Sequence, residues 1–77
     1  MEPSTWTTEL GKAVQSHRKR ASLTQQELAQ LAGVGKTVVF EVEKGKETVR
    51  LATLLRILHV LNLPLEWRSP LEDTTDA

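Results

Sequence analysis

Two glycines separated by one residue, in the stretch TQQELAQLAGVGKTVVFEVEKG from Thr24 to Gly45, constrain this chain more than any other feature. Gly35-Lys36-Thr37 has the ending of a phosphate-cradling P-loop. That loop needs a further glycine five residues earlier and a buried strand leading into it. Position 30 is Gln30, and the residues before the glycines have helical spacing, so a nucleotide site fails on both requirements. The pattern that remains is two helices joined by a short glycine-containing turn, a helix-turn-helix.

Each part of the stretch has a physical role in that arrangement. Thr24 and Glu27 form a capping box, in which the hydroxyl takes the amide three residues on and the carboxylate reaches back to the Thr24 amide. Leu28, Leu31 and Ala32 follow at core spacing, and Gly33 supplies the left-handed conformation that stops the helix. Val34 plugs the angle between the helices, and the next helix runs from Lys36 to Lys44-Gly45 with Val39 and Val42 inward.

The flanks complete a small bundle. A first helix begins among Thr5 to Thr8 and carries Leu10, Val14, Arg18 and Ala21 on one face, an apolar stripe apart from its arginine. A fourth helix, capped near Thr48, places Leu51, Leu54, Leu55, Leu58 and Leu61 inward and stops at Asn62 and Pro64. Beyond it the period changes: Leu65 and Trp67 alternate with Glu66 and Arg68, as in a half-buried strand. The expected organisation is an N-terminal arm over 1–7, a helix-turn-helix domain over 8–63, a dimerisation strand over 64–69 and an acidic disordered tail over 70–77.

The chain has 77 residues and no cysteine. A domain of that length buries only about 60% of the surface its unfolded chain exposes, so it needs a staple. Disulfides and thiolate metal sites are excluded, which leaves oligomerisation. No run approaches the roughly 20 apolar residues of a membrane span, and no signal-peptide core appears, so a cytoplasmic protein without a membrane role is expected. Net charge is zero, but from Lys12 to Arg56 nine lysines and arginines stand against four glutamates, while Glu66, Glu72, Asp73 and Asp76 gather near the C-terminus. That asymmetry fits a body facing a polyanion and an acidic tail, and from charge alone it equally fits a solvated surface of mixed charge.

From Leu10 to Leu61 the sequence resembles the lambda-repressor-like (XRE-type) DNA-binding domain. The matching residues are LTQQELAQLAGVGKTVVFEVEKGK, including the Thr-Gln start of the second helix and the closing Glu43-x-Gly45. Within that family, TVRLATLLRILHVLNLPLEW is similar to the HipB-type antitoxins. The resemblance implies an all-α, lambda-repressor-like bundle with one short C-terminal strand pairing across a homodimer. It also implies a palindromic double-stranded DNA operator read in the major groove, and a HipA-like serine/threonine kinase toxin as partner. A stand-alone repressor and a protein-binding adaptor are the alternatives.

By the same resemblance, base contacts fall on Lys36, Thr37 and Glu41. Lys36 suits guanine O6 and N7, and Thr37 suits a thymine methyl or a phosphate. Glu41 either accepts from cytosine or orients Lys36 or another cation. Phe40, on the same helix face, stands over a thymine methyl or against the chain's own surface. Gln25 and Thr24, at the start of the second helix, and Lys44 and Lys46, after the third, are the candidate phosphate contacts. Arg18 and Glu43 correspond to a partly buried ion pair with a structural role. His17 and His59 lack partners at metal spacing, and no residue set supports catalysis or a cofactor.

Overall fold

Four helices pack around one core in the computed structural model, which describes residues 5–64. They are α1 (Thr5–Arg20), α2 (Gln25–Ala32), α3 (Lys36–Glu43) and α4 (Leu51–Val60). The core is built from Val14 of α1, Leu28, Ala29 and Ala32 of α2, Val39 and Val42 of α3, and Leu54, Ile57 and Leu58 of α4, with Leu61 just beyond. α3 packs against both α1 and α2, and α4 closes the bundle over α2. The alternating segment at residues 65–68 and the acidic tail lie outside the described residues, as does most of the expected N-terminal arm.

All four helices stop in the same way. At Ser22, Gly33, Gly45 and Asn62 the backbone turns left-handed, with φ of 61°, 71°, 88° and 56°. In each case the amide of that residue bonds the carbonyl three back, and the next amide bonds the carbonyl five back: Leu23 to Arg18 at 3.1 Å, Val34 to Ala29 at 3.0 Å, Lys46 to Glu41 at 3.0 Å and Leu63 to Leu58 at 2.9 Å. This is the Schellman ending, which satisfies the last helical carbonyls and turns the following residue back onto the helix. Leu23, Val34 and Leu63 use that turn to pack on the core.

Several residues sit differently from their expected positions. Leu31 is 63% exposed, because on a helix of 100° per residue it lies about 100° from the centre of the face formed by Leu28, Ala29 and Ala32. Leu55, 43% exposed, is similarly displaced from the face of Leu54, Ile57, Leu58 and Leu61. Ile57 is fully buried in its stead, and Leu51 sits exposed in the first turn. Ala21 is exposed as well, lying past the end of α1. Thr48 does not cap α4; the N-cap position belongs to Arg50, with no side-chain hydrogen bond.

Candidate nucleic-acid interface

The interface begins with the capping box. Thr24 Oγ1 accepts from the Glu27 amide at 3.0 Å, and the Thr24 amide donates to Glu27 Oε1 at 2.9 Å. The start of α2 is thereby fixed. The first amides of a helix have no intrahelical acceptor, so this end is positively polarised and suited to an anion. The Thr24 hydroxyl still has its own proton to donate.

A buried hydrogen-bonded cluster then sets α3 against α1 and α2. Arg18 Nε donates to Glu43 Oε2 at 2.6 Å, its Nη2 to Glu43 Oε1 at 3.2 Å, and its Nη1 to the Leu23 carbonyl at 2.8 Å. The two side chains are only 10% and 3% exposed. Gln25 Nε2 adds a third bond to Glu43, at 3.0 Å from Oε1. Three segments distant in sequence thus meet on one carboxylate at the end of α3. Gln25, expected to touch phosphate, has its carboxamide engaged inward, while its backbone amide remains at the start of α2.

Close approach of the backbones supports this arrangement. A β-carbon placed on Gly11 would lie 2.5 Å from the Val42 carbonyl oxygen and 2.8 Å from that of Glu43. Only glycine lets α1 come this near to the last turn of α3. Nothing local in the sequence marks Gly11, since a glycine inside a helical run reads merely as a weak spot.

With Val39 and Val42 buried, α3 turns Lys36, Thr37, Phe40 and Lys44 to the surface and leaves Glu41 half-buried. Gln25, Lys36, Thr37 and Phe40 line one shallow, open recess between the start of α2 and α3. The Lys44 ammonium lies 5.3 Å from the centre of the Phe40 ring, a cation–π contact. Glu41 Oε2 lies 3.2 Å from Lys46 Nζ, pairing with that cation rather than with Lys36. The structure therefore groups Gln25, Lys36, Thr37 and Phe40 in one place and ties Lys44 to its border through Phe40, while Lys46, paired with Glu41, lines a separate recess with Trp6, Thr7 and Leu10. Leu65, Glu66, Trp67 and Arg68, expected to form the dimer strand, lie outside the described residues. Among the described residues there is no cluster of metal-ligating side chains, and no helix is long and apolar enough to cross a membrane.

A compact bundle with the start of one helix and the outer face of the next converging on an exposed polar surface defines a helix-turn-helix reader of DNA. The helix-turn-helix family model matches residues 14–68, and the chain belongs to that family: it is an XRE-type transcriptional regulator, not an enzyme. It is 34% identical over 62 residues to the uncharacterised HTH-type transcriptional regulator y4mF of Sinorhizobium fredii (strain NBRC 101917 / NGR234), an alignment that spans 80% of this chain and 82% of that protein. Its fold is similar to a chain of the HipA-HipB-O2-O3 complex, namely HipB, with a TM-score of 0.75, 24% identity, and coverage of 91% of this chain and 99% of that one.

Proposed function

We propose that this chain is a dimeric repressor that binds a palindromic operator and acts as the antitoxin of a HipA-like serine/threonine kinase toxin. The observation that carries the DNA reading is the convergence of Gln25, Lys36, Thr37 and Phe40 on one exposed recess beside a polarised helix start. Lys36, in the first turn of α3, takes a guanine edge; Thr37 takes a neighbouring methyl or phosphate. Thr24, the Gln25 amide, Lys44 and Lys46 hold the phosphates on either side. Glu41 acts by holding Lys46 in place.

Dimerisation is supported by unpartnered apolar surface. Leu31 and Leu55 flank a groove with Ala32, Arg56, His59 and Val60, and Leu51, one helical turn before Leu55, is exposed as well. A second subunit would cover these leucines, with residues 64–69 of the two chains paired as an antiparallel ribbon. The two-fold axis sets half-sites about 34 Å apart, one turn of DNA. The antitoxin role rests on the fold likeness to HipB, which in the HipA-HipB-O2-O3 complex is bound with HipA. It extends to this chain the pairing of a regulator with a toxin whose activity it restrains.

Two variants and one partner test the proposal. Lys36→Ala should weaken binding to a selected operator and relax preference at one base pair, since a bidentate base contact is worth about 1–3 kcal/mol of discrimination. Lys46→Ala should weaken all sequences alike and lower the salt slope by about one. Wild-type behaviour of both in titrations would reject the recognition-helix assignment. Co-expression with a kinase-like product of a neighbouring gene, followed by co-purification and a growth assay, separates antitoxin from stand-alone repressor. Failure to bind any duplex would leave the adaptor reading.

A further inference from the structure

Phe40 is out of place on a surface that only meets water. It is 47% exposed on α3, one helical turn from Lys36, and forms one wall of the recess whose other walls are Gln25, Lys36 and Thr37. The Lys44 ammonium 5.3 Å from the ring centre steadies the ring and occupies one side of it. Gln25, which lines the same recess, is steadied too, because its carboxamide is hydrogen-bonded to the buried Glu43 carboxylate. The result is a preformed apolar wall set among polar groups suited to a base edge.

In the major groove the one apolar group offered by unmodified DNA is the C5-methyl of thymine, and 5-methylcytosine presents the same group. We propose that this recess reads a pyrimidine C5-methyl through Phe40 and the Thr37 methyl, beside the guanine taken by Lys36, so that operator binding responds to cytosine methylation at that position. The inference rests on the DNA-binding reading and refines it. Four residues rise about 6 Å along a helix, and successive base pairs are about 3.4 Å apart. Lys36 and Phe40 therefore address positions one or two base pairs from each other. Desolvating one methyl-sized group corresponds to roughly fourfold in affinity.

The full chain is first used to select a duplex from a random-sequence library, and each thymine of that duplex is then replaced by deoxyuridine, which removes the methyl and nothing else. Binding should weaken about fourfold at one thymine of each half-site, the one near the guanine that Lys36→Ala ceases to prefer, and should be unchanged elsewhere. With that pair changed to C·G, the duplex carrying 5-methylcytosine should bind about fourfold more tightly than the unmethylated one. Phe40→Ala, whose folding is checked by thermal melting, should lose both distinctions. Uniform affinity across the deoxyuridine series overturns the proposal with wild-type protein alone, whatever the variant does. So does a Phe40→Ala protein that still discriminates thymine from uracil. Failure to select any duplex would defeat the DNA-binding reading itself, a separate outcome.

Discussion

Glu43 is the residue on which the architecture turns. Its carboxylate receives two bonds from Arg18 and one from Gln25, so three parts of the chain depend on a single buried charge. A buried ion pair adds little net stability over an apolar pair, but removing one partner strands the other charge in a poorly solvated place. Arg18→Ala and Glu43→Ala should each lose about 3 kcal/mol, a large fraction of the roughly 5 kcal/mol available to a small domain. The double variant should lose clearly less than the sum, since residues in contact are coupled. Denaturant titrations of the two singles and the double decide it; strictly additive losses would mean the groups do not interact. The pairing of Arg18 with Glu43 was legible as a family pattern, because an arginine on an apolar stripe needs a partner. The share of Gln25 was not, since a glutamine at a helix start has several possible acceptors.

At the scale of elements, the helix boundaries follow from local chemistry. The capping box at Thr24 and Glu27 and the glycines at 33 and 45 are punctuation that can be read without a fold. Ser22 escapes that reading, because serine rarely takes the left-handed conformation and does so here only as part of the ending of α1. Gly11 escapes it for another reason: its role exists only where α1 meets α3. In an isolated helix Gly11→Ala would stabilise by about 1 kcal/mol. In this bundle the added carbon would stand 2.5 Å from a backbone oxygen that cannot move without moving α3. Overpacking of that kind costs about 1–3 kcal/mol, so the variant should melt lower than wild type and bind the operator more weakly as α3 shifts. A higher melting temperature would show that α1 and α3 can separate freely.

At the scale of the whole molecule, Leu31, Leu51 and Leu55 are exposed beside a core of ten buried hydrophobic residues among the described residues. Exposed leucines on a small domain support the proposed dimer. Truncation after Pro64 removes the proposed ribbon, and the shortened chain should become monomeric at micromolar concentration by sedimentation, losing most of its affinity for a palindrome. A truncated chain that stayed dimeric and bound normally would place the interface on the α2–α4 groove alone.

The local sequence determined where α2 and α3 start and stop and where α4 ends, which face of α3 is buried, and that a turn of the Gly33-Val34-Gly35 type joins α2 to α3. Those features depend on caps, backbone freedom and periodicity, which act over a few residues. Tertiary structure alone decided which of the crowded leucines are core, that Gly11 must be glycine, and that Gln25 completes the Arg18–Glu43 cluster. Each of these depends on the angle and distance between helices. A stripe of leucines wider than one helix face offers several registers, and only packing against the neighbouring helices chooses among them.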